Sequence, residues 1–177
     1  ESLLRQLFSL SVRRIKRLGE SRVDELREIV FSTQPDDERV TAFNHYLSDT
    51  DNLKKFLRIF PIVATTCISA YKLGQPVPSF DMVVIDEASQ CDTACALVPI
   101  VRGQNLTLVG DPAQLSPVVV IDGTDNATLR HTYNIPDEYD FIDNSAYKTF
   151  LACDSVSNEI LLHEHYRCDE KIIGFNN

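Results

Sequence analysis

The spacing of apolar residues changes near residue 60, and this change constrains the fold of the 177-residue chain more than any other feature. Before it, apolar side chains recur at three-to-four spacing, as in Leu3, Leu7 and Leu10, which is typical of helices that bury one face. After it, apolar residues come in short consecutive runs. The first part therefore predicts three or four helices, and the second predicts strands of an α/β domain.

Four segments rich in Val, Ile, Leu and Thr predict strands: 61–67, 81–86, 105–110 and 159–165. Because "MVVI" and "LTLV" are apolar at consecutive positions, we expect a parallel sheet with helices on both faces. Residues 88–101 have the length and composition of a crossover helix, and residues 122–145 are polar, acidic and without period, which indicates a loop or insertion. We therefore divide the chain into a helical accessory or insertion segment (1–60) and an α/β part (61–177).

The charge is unevenly distributed along the chain. Acidic residues number 26 against 17 basic ones, which gives a net charge of −9. This charge argues against a general electrostatic attraction to nucleic acid or to a membrane surface. Yet residues 1–60 hold 11 of the basic residues and only 10 of the acidic ones. The run "RRIKR" at 13–17 can contact phosphates or simply solvate a helix, and for a single arginine the solvated face is the simpler interpretation.

The cysteines and the chain ends bear on location and completeness. An odd number of cysteines, five, without regular spacing and without a signal sequence, predicts reduced thiols in the cytoplasm, or in the nucleus of a eukaryote. No apolar run approaches the roughly 18 residues that cross a bilayer, so no membrane partner is expected. Met82 is the only methionine and residue 1 is Glu, from which we expect an excerpt of a longer polypeptide.

Two adjacent carboxylates, Asp86 and Glu87, follow the apolar run at 82–85. Burying a carboxylate costs several kcal/mol unless it has a partner. Ligands bind beyond the carboxyl ends of parallel strands, and a nucleoside triphosphate with Mg²⁺ suits hard oxygen ligands. Asp86 would hold Mg²⁺ through water, and Glu87 would act as general base on the attacking water. The alternative is a strand end with solvated acids.

Three segments in order resemble motifs of superfamily 1 helicases. "VVIDEASQ" and "LVGDPAQLSPVV" resemble motifs II and III, and "LLHEHYRCDEKIIGFNN" at 161–177 resembles motif IV. "DEASQ" preceded by "PIVATTC" is similar to the branch that contains the nonsense-mediated-decay RNA helicase and its DNA-unwinding relatives. The resemblance implies an incomplete RecA-like P-loop NTPase domain with a central parallel sheet. It also implies ATP and Mg²⁺ as cofactors and single-stranded DNA or RNA as partner.

The resemblance assigns further roles, residue by residue. Gln114 matches the glutamine that senses the γ-phosphate, and Gly110 and Asp111 precede it in the same nucleotide-binding motif. Arg167 matches an arginine finger, and Tyr166 a tyrosine that packs near the base. Two threonines match a segment that touches the nucleic-acid backbone, Thr65 and Thr66. The alternatives are that Gln114 caps a turn and that Arg167 pairs with Asp169 or Glu170 on the surface.

A zinc site is a second interpretation of the thiols and imidazoles. Its ligands would come from Cys91, Cys95, His163, His165 and Cys168. Cys91 and Cys95 fall on the predicted crossover helix and lack the tight turn, or knuckle, that usually presents two cysteines to zinc. Buried free cysteines are therefore the preferred interpretation.

The function implied is an ATP-dependent helicase or translocase. The alternatives are the motor part of a helicase-nuclease and a non-catalytic, helicase-like scaffold. The intact Asp86–Glu87 pair and Gln114 favour the motor over the scaffold.

The sequence contains no G-x-x-x-x-G-K-[ST] phosphate loop, which in the family lies ahead of the Asp-Glu strand. Since that loop and its lysine supply most phosphate contacts, we expect the 177 residues alone to bind ATP weakly or not at all, and not to hydrolyse it. Titration calorimetry and a phosphate-release assay test this. Micromolar affinity or turnover would contradict it.

Overall fold

The computed structural model describes residues 2–162 and contains a group of N-terminal helices followed by a small α/β unit. Seven α-helices were found in this range: α1 (Ser2–Ile15), α2 (Asp24–Phe31), α3 (Asp36–Ser48), α4 (Thr50–Leu57), α5 (Thr93–Ile100), α6 (Gly123–Tyr133) and α7 (Ala146–Cys153). The two strands there are β1 (Val83–Ile85) and β2 (Leu106–Leu108). Within 2–162, no helix combines the length and the apolar character that crossing a membrane requires.

Helices α1 to α4 confirm the prediction of three or four helices before residue 60. Their ends follow local chemistry: the Asp49 carboxylate accepts hydrogen bonds from the backbone N–H groups of Asp51 and Asn52 and so starts α4. Three carboxylates occupy the first turn of α3, where the helix dipole favours negative charge. A 3₁₀ turn, Lys16–Gly19, follows α1, so the helical path ends at Gly19 as the sequence predicts.

The core of the helical group is built on fully buried side chains from α2, α3 and α4, among them Leu26, Tyr46 and Leu53. Phe43 and Phe56 meet edge to face, with ring centroids 5.7 Å apart. Leu73, from beyond residue 60, is buried in the same core. The helical group and the α/β unit therefore share packed side chains, and the division at residue 60 stays a prediction.

The α/β unit confirms the parallel sheet and the crossover helix. β1 and β2 pair in parallel, with Val83 opposite Leu106 and Ile85 opposite Leu108. Helix α5 lies between them in the chain, as a parallel connection requires. Its Ala96 packs with Ile85, Ala88 and Ala146 in a second buried cluster.

Only one face of this sheet is covered by the described residues, so the prediction of helices on both faces is wrong for residues 2–162. Ile85 is buried, whereas Val84, which alternation places on the opposite face, is 58% exposed. Met82, also on that side, is 56% exposed. Helices α5 and α7 both supply residues to the cluster around Ile85, which leaves the Val84 face to solvent.

One other strand prediction and one loop prediction are also wrong, and a further strand prediction lies only partly within the described residues. Residues 61–66 have no regular structure, because no strand among residues 2–162 pairs with them. Residues 159–162 are likewise not in a strand, and 163–165 lie outside the described residues. The predicted loop 122–145 contains α6, whose first turn is capped by the Asp122 carboxylate and whose end is Asn134 in the left-handed region. α6 is stabilised by polar contacts to the buried carboxylate of Asp140, so its sequence shows no apolar period.

The guanidinium of Arg102 joins α5 to the turn at 71–74. It is buried, and it donates hydrogen bonds to the carbonyl oxygens of Val98, Tyr71, Leu73 and Gly74. Burial lowers the pKa of Arg102. Since Gly74 N in turn donates to Leu47 O of α3 at 2.9 Å, Arg102 holds a connection between the sheet unit and the helical group.

We expect Leu53→Ala to destabilise the protein by about 2–5 kcal/mol, because it leaves a cavity in the fully packed core of the helical group. Urea denaturation followed by circular dichroism measures the change. The matched control is Leu7→Ala on α1, where the leucine is 60% exposed and the expected change is below about 0.5 kcal/mol. Equal losses in the two variants would contradict the assignment of the core.

Candidate functional site

The carboxyl ends of β1 and β2 meet at one edge of the sheet, and this edge carries most of the predicted site residues. Val109 N donates to Ile85 O at 2.9 Å, and Ala88 N donates to Val109 O at 2.8 Å. The pairing therefore continues beyond both strands. It brings the Asp86–Glu87 turn and the Gly110–Asp111 turn side by side.

Gly110 is the point of closest approach between the two turns. A Cβ atom there would lie 2.9 Å from the backbone nitrogen of Ser89, closer than real Cβ atoms come, and 3.3 Å from that of Ala88, which is a tight contact. Asp111 N donates to Ser89 Oγ at 3.3 Å. Glycine at position 110 thus lets the chain after β2 lie directly against residues 88–89.

Asp86 and Glu87 are exposed to solvent, which is compatible both with their predicted roles and with the alternative of solvated acids at a strand end. Ile85 is the last buried residue of β1, and the two acids lie past the end of the strand on the open edge. Both carboxylates stand where a ligand can reach them.

The backbone of Glu87 is in the left-handed region, with φ 52° and ψ 39°. This conformation is costly for a residue other than glycine, and such strain is characteristic of functional sites. Local bonds hold it: Glu87 N donates to Asp86 Oδ1 at 3.1 Å, and Gln90 Nε2 donates to Glu87 Oε2 at 3.4 Å. These two hydrogen bonds hold the Glu87 backbone against Asp86 and the Glu87 carboxylate against Gln90.

Asp111 organises the turn that carries Gln114. Its backbone oxygen accepts from Gln114 N at 3.1 Å, and its carboxylate accepts from Ala113 N and from Gln114 Nε2, the latter at 3.3 Å. Gln114 therefore lies within the turn that starts at the sheet edge, a position compatible with its predicted role. The turn-capping alternative is compatible with the same contacts.

The remaining predicted residues lie away from this edge or outside the described range. Thr65 and Thr66 are exposed on the segment 61–66, and Thr66 Oγ1 accepts from Ser69 N at 3.2 Å at the start of a 3₁₀ turn. The next residue, Cys67, has its Sγ 3.7 Å from Sγ of Cys91, which ties this segment to the turn after β1. Tyr166 and Arg167 lie outside the described residues.

The thiols near the site are protonated at neutral pH. Burial, followed by the neighbouring Cys67, raises the pKa of Cys91 to about 12. A hydrogen bond to Asp92, followed by burial, raises the pKa of Cys95 to about 11. Metal ions bind the thiolate form, and within residues 2–162 no group of three or more His, Cys, Asp or Glu residues is arranged to hold a metal. The proposed partners His163, His165 and Cys168 lie outside that range.

Two residues at the site were not singled out from the sequence. Ser89 accepts from Asp111 N, and Gln90 donates to the Glu87 carboxylate. Both come within three residues of the acid pair in "DEASQ". Two polar side chains so soon after the acids that follow a strand are the signal that could have identified them.

A family model described as an AAA domain (AAA_11) matches residues 11–121. The chain belongs to this family. The match covers β1, β2 and the edge that carries Asp86, Glu87 and Gln114, together with most of the N-terminal helices. No solved structure matches the AAA domain described here.

Several curated helicases are similar to this AAA domain over shorter stretches. Mouse RNA helicase Mov10l1 is 36% identical over 88 residues, covering 45% of this chain and 7% of the relative. The mouse DNA replication ATP-dependent helicase/nuclease DNA2 is 39% identical over 72 residues, 39% of this chain and 6% of the relative. Fission yeast ATP-dependent helicase upf1 is 37% identical over 68 residues, 38% of this chain and 7% of the relative. These relatives confirm the resemblance to superfamily 1 helicases, and the chain spans less than a tenth of the length of each of the three.

We expect Glu87→Gly to leave the protein as stable as the wild type or to stabilise it by up to about 1.5 kcal/mol. Relief of the left-handed conformation gains about 1–2 kcal/mol, and the added freedom of glycine in the unfolded chain costs about 0.5–1 kcal/mol. Urea denaturation measures the difference.

The control for that experiment is Asp81→Gly, which also removes one exposed carboxylate but at a position without a positive φ. It should lose about 0.5–1 kcal/mol. A larger loss for Glu87→Gly than for the control would show that Glu87 is not strained.

Proposed function

We propose that the whole protein is an ATP-dependent helicase or translocase that moves on single-stranded DNA or RNA. The observation that carries this proposal is the meeting of Asp86, Glu87 and the Asp111–Gln114 turn at one edge of a parallel sheet. The relatives named as ATP-dependent helicases support the same activity. The nucleic acid would be held without regard to sequence, through its backbone.

The residues at this edge fit a nucleotide with Mg²⁺. Mg²⁺ takes oxygen ligands and keeps several waters, and the exposed carboxylates of Asp86, Glu87 and Asp111 supply oxygens of that kind. Asp86 uses Oδ1 to accept from Glu87 N, and its Oδ2 accepts no hydrogen bond from residues 2–162. We assign Asp86 to the metal through water, and Gly110 and Asp111 to the nucleotide. When bound, the metal neutralises charge on the phosphates.

Glu87 would act on the attacking water. Its carboxylate accepts a proton from that water, while Gln90 Nε2 and the strained backbone hold it in place. Gln114 carries an amide that both donates and accepts, so a γ-phosphate would compete with Asp111 for Gln114 Nε2. That exchange would report the presence of the phosphate to the rest of the protein.

The other assignments rest on the resemblance. Arg167 would stabilise charge on the transferred phosphate, and Tyr166 would pack near the base. Thr65 and Thr66 would contact the nucleic-acid backbone from the exposed segment 61–66. We further propose that residues 1–60 form an accessory segment, that residues 61–177 form part of a RecA-like domain, and that the protein works in the cytoplasm or nucleus, where thiols stay reduced.

We expect Glu87→Gln in the full-length protein to lower ATP turnover in the presence of single-stranded DNA or RNA by at least about 10²-fold, with nucleotide affinity unchanged. The reason is that the amide keeps the shape of the side chain but cannot take the proton. Phosphate release and binding of a fluorescent ATP analogue measure the two quantities.

The matched control is Glu28→Gln, an equal change of charge at an exposed position on α2, which should turn over ATP at the wild-type rate. Wild-type turnover by Glu87→Gln would refute the role of Glu87. An absence of ATP turnover in the wild-type protein with either nucleic acid would refute the motor.

A further inference from the structure

Two basic stretches of the chain contain no acidic residue. Residues 2–19 contain five basic residues and residues 52–80 contain four, and neither stretch contains an Asp or Glu, although the chain has 26. Lys54 pairs with Asp51 from just outside its stretch. The other basic residues of the two stretches have no acidic residue beside them in the sequence.

The structure brings the two stretches together at the end of α4. Arg14 and Arg17 each donate a hydrogen bond from Nη1 to the backbone oxygen of Arg58, both at 3.0 Å. The guanidinium groups of Arg14 and Arg17 therefore meet at the backbone of Arg58, and these three residues are here called the arginine cluster. One donor is enough to cap a carbonyl at a helix end, so the cap alone does not explain why two guanidinium groups meet there.

The cluster has no carboxylate partner among residues 2–162. Three other arginines of the helical group do have one: Arg22 pairs with Glu20, Arg27 with Asp24 and Arg39 with Asp36, whereas Arg5 and Arg13 of α1 have none within this range. Arg17 and Arg58 are exposed and Arg14 is half-buried. Since a guanidinium carries several N–H donors, Arg14 and Arg17 keep free donors after bonding to Arg58. Like charges held together without an anion have the composition of an anion-binding surface.

The cluster lies at the start of the segment assigned to nucleic acid. Ile59, directly after Arg58, is buried in the helical core, and the chain then emerges as the exposed residues 61 and 62 on the way to Thr65 and Thr66. Thr65 follows Arg58 by seven residues, so their Cα atoms are at most roughly 25 Å apart. Residues 58–66, which connect Arg58 to Thr66, contain no Asp or Glu.

We propose that the arginine cluster binds the phosphate backbone of single-stranded nucleic acid and extends the contact made at Thr65 and Thr66. This inference rests on the proposed function for the identity of the partner. Planar guanidinium groups pair well with phosphate oxygens, and phosphate contacts are independent of base sequence. Each contact releases a counterion, so binding through the cluster weakens as salt is added.

The test measures the salt dependence of binding with the full-length protein. The probes are fluorescein-labelled oligo(dT) and oligo(U), titrated by anisotropy without nucleotide at several KCl concentrations. For Arg14→Gln/Arg17→Gln, the slope of log K against log[KCl] should become shallower by about 1.4, since each lost phosphate contact on a single strand accounts for about 0.7. The double variant should also bind more weakly at low salt.

Two further variants separate phosphate binding from folding. Arg22→Gln/Arg27→Gln removes the same charge from arginines that already have carboxylate partners, and its slope should match the wild type. Arg14→Lys/Arg17→Lys keeps the charge and should restore most of the slope. Urea denaturation of each variant checks that the fold is intact.

The outcomes distinguish this inference from the proposed function. Wild-type binding with an unchanged slope in Arg14→Gln/Arg17→Gln would overturn the role of the cluster and leave the helicase proposal standing. An equal change of slope in the Arg22/Arg27 control would also overturn it, because net charge alone would then explain the effect. A wild-type protein that binds neither oligonucleotide would overturn the proposed function and the cluster with it.

Discussion

The backbone pairing of β1 and β2 is the constraint on which the candidate site depends. Once Ile85 is opposite Leu108, the residues after each strand reach the same edge, and two further hydrogen bonds through Val109 keep them together. A slip of one residue would turn Ile85 away from its buried cluster and replace it with Val84. The burial of Ile85 therefore sets the register, and the register sets the distance between the acid pair and the Asp111 turn.

The sequence predicted the parts of this arrangement that depend on apolar pattern. Consecutive apolar residues at 82–85 and 106–109 predicted parallel strands, and the intervening segment predicted the crossover helix α5. It did not predict α6, whose stability comes from polar contacts with Asp140, nor the lack of a strand at 61–66, where pairing needs a partner strand. The left-handed backbone of Glu87 was also beyond prediction, because glutamate has no preference for that region.

Arg102 and the two glycines show how a small sheet unit keeps its geometry. Gly103 and Gly110 flank β2, and at either position a Cβ atom would come within 3.0 Å of a neighbouring atom. Arg102 stands beside Gly103 and ties α5 to the turn at 71–74, which in turn bonds to α3. The segment that carries Thr65 and Thr66 leads into this turn. Ala96, which packs beneath the candidate site with Ala88, and Val98, which accepts a hydrogen bond from Arg102, both belong to α5, so this helix joins the sheet edge to the turn at 71–74.

Net charge and local charge lead to different conclusions about the partner. A net charge of −9 argues against long-range attraction of nucleic acid, yet at physiological salt a charge acts over only about 8 Å. The electrostatic potential at a phosphate on the surface is therefore set mainly by the charged groups within that distance. Around Arg58 those groups include two more arginines and come from stretches without a single acid. Local segregation of charge would let an acidic protein present a cationic contact, and in the proposal that contact continues along the exposed segment 61–66, which follows Arg58 in the chain.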